Sequence, residues 1–271
     1  MEGYIDTLNR VIWSNDLVYL CLGAGAYFTL VTLFLQIRCI PDMIRQLKSG
    51  ESSEQGISSF QSLMISLAGR VGVGNIAGVA TAIAFGGPGA VFWMWLVALL
   101  GSATSFIECC LAQIYKETDR DTGEYRGGPA YYIEKAYKHT AAAPFMLVYA
   151  IIFAVCMLLA TAYFLPGIQA NGVAAAVDNA WGINTWVSAA IMTVLLAFII
   201  IGGVKRIANF ASMVVPFMAG IYIIIAIVVL FANASQIPEV FGTIVRAAFD
   251  KEAAFSGMLG AAIMWGVKRG I

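Results

Sequence analysis

The stretch that decides the fold reads Ser66-Leu67-Ala68-Gly69-Arg70-Val71-Gly72-Val73-Gly74-Asn75-Ile76-Ala77-Gly78-Val79-Ala80-Thr81, with four glycines within ten residues. Each glycine lowers helix propensity by about 1 kcal/mol relative to alanine. Close packing between helices accounts for a small-residue pair such as Gly74 and Gly78. It does not account for Arg70 and Asn75, because polar side chains at membrane depth are costly. We therefore predict that the helix unwinds here and binds a cation and a carboxylate, with plain packing as the alternative.

The composition around this stretch is that of a membrane protein. The chain has 271 residues, of which 60% are apolar and only 12% are charged, whereas roughly a quarter are charged in an average soluble domain. The formal net charge is zero, which argues against nucleic-acid binding. Four intervals without Asp, Glu, Lys or Arg exceed the ~20 residues that cross a hydrocarbon core. These intervals are 71–107, 139–177, 179–204 and 207–238.

Seven apolar segments are predicted to be membrane-spanning helices, because a lipid-facing backbone must satisfy its own hydrogen bonds. They are 16–37, 58–86, 89–115, 144–168, 184–203, 208–232 and 253–271. With the N-terminus outside, twelve Lys and Arg residues fall on the inner side and three on the outer side. This bias predicts an outside N-terminus, an outer loop at 169–183 and an inner loop at 116–142. A short amphipathic helix at 131–137 lies on the inner membrane surface or, alternatively, gates a cytoplasmic pathway.

Other polar residues of the spans are candidates for function. At ~1.5 Å per residue, Arg70 lies about 18 Å and Glu108 about 12 Å from the inner ends of their spans. We predict an Arg70–Glu108 ion pair, the alternative being that Glu108 reaches the inner surface alone. Gln169 and Asn171, after the fourth span, offer amide donors and acceptors to an amino acid. An ordinary polar helix end is the alternative for these two.

The last segment is again rich in glycine and dotted with polar residues. A pair of glycine-interrupted spans five helices apart points to inverted repeats. We therefore expect three regions: 1–57 with an extra helix, 58–232 as the first five-helix repeat, and 246–271 as the start of the second. Because the pattern stops at Ile271, we expect the chain to be the N-terminal portion of a longer protein.

Several motifs stand out in the sequence, and the longest is Gly86-Gly87-Pro88-Gly89-Ala90-Val91-Phe92-Trp93-Met94-Trp95-Leu96-Val97-Ala98-Leu99-Leu100-Gly101. It closely resembles the signature of the alanine or glycine:cation symporter family, which the other motifs resemble as well. The others are Arg70-Val71-Gly72-Val73-Gly74-Asn75-Ile76-Ala77-Gly78, Phe106-Ile107-Glu108-Cys109, Gly127-Gly128-Pro129-Ala130-Tyr131-Tyr132-Ile133 and Lys268-Arg269-Gly270. The matches follow the chain from the second span to its end.

The resemblance implies a sodium-coupled carrier of small neutral amino acids, alanine or glycine, in the plasma membrane. It implies an all-α polytopic protein with a leucine-transporter-like fold: two inverted five-helix repeats after one extra helix. The backbone carbonyls of Ala68 and Val71 would bind sodium. The substrate-binding residues implied are Gly72, Gly74 and Asn75 on the first core helix, Gln169 and Asn171 on the third, and Gly260 and Trp265 on the sixth. Most of the second repeat, with the eighth core helix that shares the sodium site, would belong to the missing C-terminal half.

Two other functions stay open at this point. One is an amino-acid or organic-cation carrier of the same fold that is coupled to protons. The other is a non-transporting membrane scaffold or subunit made of the first repeat only. An enzyme is not expected, because the sequence has no nucleophile–base pair, metal cluster or phosphate loop. No cofactor is expected, and Na⁺ is the expected coupling ion.

Overall fold

The computed structural model of the chain describes residues 14–49, 57–121, 125–249 and 258–270, together with Gly3, Thr7 and Gly123. The α-helices are α1 (Asn15–Val31), α2 (Leu35–Arg38), α3 (Ile40–Ser49), α4 (Ser59–Arg70), α5 (Val73–Gly86), α6 (Gly89–Ile114), α7 (Pro129–Tyr137), α8 (Ala143–Leu159), α9 (Leu165–Trp181), α10 (Thr185–Ile200), α11 (Gly203–Ala232), α12 (Ile237–Phe249) and α13 (Met258–Gly270). A π-helical turn (Ala160–Phe164) joins α8 to α9, and a 3-10 turn (Ala234–Gln236) precedes α12. Strands β1 (Glu117–Thr118) and β2 (Tyr125–Arg126) pair antiparallel between α6 and α7.

The helices are those of an all-α polytopic membrane protein. Among the described residues, three helices are long and apolar enough to cross a membrane: Gly89–Ile114, Ala143–Trp181 and Gly203–Ala232. The pair α4 and α5 makes a fourth if it is one span bent by 43°. Helices α1 and α10 are apolar but shorter. Of the seventh predicted segment, only the helix from Met258 falls within the described residues.

The predicted outer loop at 169–183 is wrong, because the fourth span continues as helix to Trp181. Pro166 lies just after the π-helical turn Ala160–Phe164, and the helix continues through it. The alanine-rich run 174–176 then favours helix over loop. The helix ends at Gly182, which adopts a left-handed conformation with φ 66° and donates its N–H to the Asp178 carbonyl over 2.7 Å. The connection to α10 is therefore only three residues long.

Two other predicted boundaries shift as well. The first span was expected to reach residue 37, but α1 ends at Val31, and Leu33 and Phe34 both have φ 54°. Left-handed backbone at two consecutive bulky residues interrupts the helix before α2. Helix α11 begins at Gly203, five residues before the predicted start at 208.

The structure divides into two compact units. The first combines 1–43, 76–107 and 224–271, and the second combines 44–75 and 108–223. Both units join segments that are distant in the sequence. The sequence regions 1–57, 58–232 and 246–271 stay predictions, and residues 250–257 and 271 lie outside the described part of the chain.

In the first unit, two helices pack against the start of α6 through glycines. A Cβ built on Gly89 would lie 2.6 Å from the Ala247 carbonyl oxygen of α12. A Cβ built on Gly266 of α13 would lie 2.5 Å from the Ala90 carbonyl oxygen. The ring of Phe249 contacts that of Phe92 at 4.9 Å between centroids. Helix α12, which the sequence did not predict, is held in place by these contacts.

In the second unit, α4 packs against α11. Met64 is buried with Ala211 and Val215 in a small apolar cluster. The side chain of Gln61 donates from Nε2 to Oδ1 of Asn209 over 2.8 Å. The first half of the glycine-rich span, α4, is thereby fixed to a membrane-spanning helix.

The predicted inner loop of the second unit contains the paired strands β1 and β2, and α7 follows them. Lys135 forms an ion pair with Glu117 at 2.8 Å and donates to the Tyr115 carbonyl oxygen at 3.0 Å. A second ion pair joins Arg126 to Asp119. The predicted short helix at 131–137 is confirmed, and Pro129 at its first position begins it two residues earlier.

Candidate functional site

The glycine-rich stretch contains an interruption of the helix at Val71 and Gly72. Helix α4 ends at Arg70, and Val71 is extended with φ −99° and ψ 103°. The N–H of Val71 still donates to the Leu67 carbonyl over 2.9 Å. Helix ends leave several carbonyls and N–H groups without intrahelical partners. The interruption therefore exposes carbonyls of α4 and N–H groups of α5 at the same place.

The side chain of Asn75 spans this interruption. Its Nδ2 donates to the backbone carbonyl of Arg70, the last residue of α4. Asn75 is itself in the first turn of α5, where its N–H donates to the Gly72 carbonyl over 3.0 Å. One amide thus ties the end of α4 to the start of α5.

Helix α9 contributes a second amide to the same place. Oε1 of Gln169 accepts a hydrogen bond from the N–H of Val73 over 2.9 Å. A Cβ built on Gly72 would lie 2.6 Å from Nε2 of Gln169, so only glycine leaves room for this amide. A Cβ built on Gly172 would lie 2.7 Å from both Cγ atoms of Val73. Gln169 and Gly172, three residues apart, bring one face of α9 against the interruption.

The structure brings some of the predicted site residues together and separates others. Gly72 and Gln169 are in contact, and Gly74 lies half-buried in the first turn of α5. Asn171 is exposed and lies two residues after Gln169, about 200° around the helix at 3.6 residues per turn. It therefore does not share the face that Gln169 turns to the interruption.

Of the predicted pair, Arg70 is the last residue of α4, and Glu108 lies six residues before the end of α6. Both residues are exposed. Burial raises the pKa of Tyr132 on α7, and the negative charge of Glu108 raises it further. Glu108 therefore lies within electrostatic reach of α7. Its pairing with Arg70 stays a prediction.

The chain matches a known protein family along its whole length. The sodium:alanine symporter family matches residues 1–271. The chain belongs to the sodium:alanine symporter family. This confirms the resemblance seen in the sequence motifs, and the membrane-spanning helices agree with it.

Three relatives show how close the similarity is. YrbD of Bacillus subtilis (strain 168), provisionally named a sodium/proton-dependent alanine carrier protein, is 51% identical over 271 residues, which are 100% of this chain and 54% of that protein. GlnT of the same organism, named a probable sodium/glutamine symporter, is 44% identical over 100% of this chain and 55% of its own. The sodium/alanine symporter AgcS of Methanococcus maripaludis is 40% identical over 98% of this chain and 59% of its own. The chain spans about half the length of these relatives.

The remaining predicted residues of this family member lie on α13 in the first unit. The ring of Trp265 stacks on Phe85 with 5.2 Å between centroids and is 41% exposed. Gly260 lies in the first turn of the same helix. Closure of a substrate pocket by these two residues stays a prediction.

Sequence reasoning missed two parts of the site. These are the Val73 N–H, which is bonded to Gln169, and Gly172, against which Val73 packs. The sequence did contain an indication of this contact. A glycine three residues after a glutamine in a helix lies on the same face, so that another segment can approach this face closely and meet the glutamine amide.

Proposed function

We propose that this chain is part of a symporter that couples sodium entry to the uptake of a small neutral amino acid across the plasma membrane. One observation carries the proposal: the Gln169 amide lies against the first N–H of α5, at an interruption lined by Gly72. Membership of the family and the relatives' names support it. Because the chain spans about half of those relatives, the activity belongs to the whole protein.

The substrate carboxylate binds at the start of α5. Helix N-termini favour anions, because their N–H groups and dipole face outward. In the structure, Oε1 of Gln169 accepts a hydrogen bond from the N–H of Val73. In the substrate-bound protein, a carboxylate oxygen of the substrate would accept a hydrogen bond from this N–H. When the carboxylate takes this N–H, Nε2 of Gln169 can donate to it. Gly72 and Gly172 let α9 approach the interruption closely, and we expect the narrow space beside Gly74 to admit only a small side chain such as that of alanine or glycine.

Sodium binds on the other side of the interruption, at the end of α4. Unwound carbonyls coordinate sodium in carriers with broken helices. Ala68 and Val71 lie where carbonyls are freed, and Asn75 holds the neighbouring Arg70 carbonyl. A sodium ion here places positive charge beside the carboxylate. Sodium and amino acid together then favour the closed state of an alternating-access cycle, because each binds it better than the open states.

The first experiment replaces Gln169 with alanine and uses Asn171→Ala as the matched control. Both are exposed amides on α9, but only Gln169 contacts the interruption. We expect Gln169→Ala to lower alanine uptake about 10- to 100-fold, the worth of a hydrogen bond to a charged group. The control should change uptake less than about twofold, in line with a surface substitution. The measurement is the initial uptake rate into vesicles containing the whole protein. Normal uptake by Gln169→Ala, or equal loss in both variants, would contradict the proposal.

The pairing of Arg70 with Glu108 belongs to the same proposal and lies on its cytoplasmic side, with the N-terminus outside. Neutralising either charge should lower uptake at least about tenfold, because an unpaired charge at membrane depth is costly. The exchanged protein, with Arg70→Glu and Glu108→Arg together, should recover most of the uptake. An exchanged protein as inactive as the single variants would remove the pair from the mechanism.

Proton coupling is a second candidate, favoured by the sodium/proton-dependent naming of one relative. Uptake in choline or lithium in place of sodium, measured at several pH values, separates the two. Uptake that persists without sodium and follows the proton gradient would favour proton coupling. A protein that binds neither alanine nor sodium in any medium would favour a scaffold role.

A further inference from the structure

A cavity lies between α10 and the first turns of α11. Its volume is about 470 Å³, within the range of ~300–1,000 Å³ typical of ligand pockets. The lining is apolar except for two residues. It consists of Leu195, Phe198, Ile199, Arg206, Asn209, Phe210 and Met213. We call this cavity the hairpin groove.

Arg206 is exposed and places a positive charge at the edge of the hairpin groove. Its guanidinium carbon lies 4.2 Å from the centroid of the Phe198 ring. A Cβ on Gly202 would collide with the Arg206 side chain, so the turn gives this arginine its room. Among the residues that the structure describes, no carboxylate forms an ion pair with Arg206. Lys205 precedes it and adds a second positive charge.

The groove also has a polar donor beside the arginine. Oδ1 of Asn209 is occupied by the hydrogen bond from Gln61. That bond fixes the orientation of the amide and leaves Nδ2 of Asn209 as a donor. A guanidinium and an amide N–H together suit the oxygens of a phosphate.

We infer that the hairpin groove binds an anionic phospholipid. The phosphate lies on Arg206, with Lys205 nearby, and an acyl chain lies along Leu195, Phe198 and Met213. Helix α11 crosses the membrane and begins at Gly203, so Arg206 lies at headgroup level, where basic pockets between helices bind anionic lipids. The positive charge of Arg206 favours a lipid over an apolar protein segment as the occupant of the groove. An apolar segment would leave Arg206 without an anion.

The occupied groove touches the interrupted helix through one side chain. Gln61 accepts the N–H of Ser58 at the start of α4 with Oε1 over 3.0 Å and donates to Asn209 with Nε2. A lipid phosphate on Asn209 therefore stabilises the contact between α4 and α11. This consequence rests on the proposed function, but the binding itself does not.

The test measures lipid retained by the whole purified protein. Native mass spectrometry follows protein taken from vesicles of phosphatidylcholine with one third phosphatidylglycerol. We expect preferential retention of phosphatidylglycerol, and a loss of about fivefold in Arg206→Gln, as for one basic residue near a membrane surface. Arg246→Gln on α12 is the control, since it removes one exposed positive charge elsewhere, and should retain the lipid. Equal retention of both lipids by the unaltered protein, or equal loss in both variants, would overturn the inference.

Three further measurements separate the possible outcomes. Arg206→Lys keeps the charge and should keep most of the preference if Arg206→Gln fails to fold. Inorganic phosphate should not displace the lipid, because it cannot fill the apolar groove; displacement would overturn the lipid as the ligand. Met213 is 77% exposed, so Met213→Cys should react with a lipid-soluble maleimide in vesicles. Full protection of this cysteine in lipid-free detergent would show that a protein segment fills the groove and would overturn the inference.

Discussion

Replacing Gly72 with alanine is expected to lower sodium-dependent alanine uptake about 10- to 100-fold. The reason is that the Gln169 amide loses its proposed hydrogen bond to the charged carboxylate of the substrate. The added Cβ would lie 2.6 Å from Nε2 and 2.9 Å from Oε1 of Gln169. The amide must move away, so that the Val73 N–H loses its partner and the substrate loses a donor. Protein abundance in the membrane should not fall, since the displaced atoms are at the far end of one flexible side chain.

Gly69→Ala is the matched control for this prediction. Gly69 lies three residues earlier, and a Cβ built on it meets nothing within 4 Å. It also lies inside α4, where alanine is the better helix former by about 1 kcal/mol. Its uptake should match that of the unaltered protein in the same vesicles. If both alanines reduce uptake equally, helix flexibility rather than the space at Gly72 would be the cause.

Replacing Asn75 with alanine is expected to abolish sodium-dependent uptake without lowering membrane abundance. The Asn75 amide ties the end of α4 to the start of α5 by donating to the Arg70 carbonyl. Without it that carbonyl loses its donor, and the proposed site loses the amide that would meet the substrate. The two losses act on the same bound state, so the effect should exceed the ~10- to 100-fold expected for one bond.

Asn179→Ala controls for the loss of an asparagine. Asn179 also donates from Nδ2 to a backbone carbonyl, that of Ala175 over 2.9 Å, but within the regular helix α9. Uptake and sodium-dependent alanine binding by calorimetry should both survive in this variant. Normal uptake in Asn75→Ala would remove Asn75 from the site.

The fold was predictable where hydrophobicity and glycine or proline act together. Pro88 and Gly89 mark the start of α6, and the charged residues after Ile114 mark its end. The stretch 169–183 was misjudged, because absence of charge indicates an outer loop while its alanines favour helix. Helix α12 was missed because Glu239 and Arg246 interrupt an apolar run too short to cross a membrane. Its stability comes from packing on α6 through Gly89, which the local sequence does not show.

The candidate site was predictable in its residue types and less so in its geometry. Glycines beside Arg70 and Asn75 identified the stretch where α4 ends and α5 begins. Gln169 and Asn171 were equivalent in the sequence, because polarity does not say which way a side chain points. Only the position of α9 separates them.

The π-helical turn Ala160–Phe164 determines which way the side chains of α9 face relative to those of α8. One extra residue in a helical turn advances everything after it by about 100° around the axis, because each residue of an α-helix turns through that angle. Residues before Ala160 and after Phe164 therefore belong to two rotational phases of what looks like one helix. Residues of Ala143–Trp181 that are spaced at a constant 3.6-residue period therefore lie on one face of the helix before the π-helical turn and on another face after it. The orientation of Gln169 is thus set by the number of residues in a segment made only of alanine, threonine, tyrosine and phenylalanine.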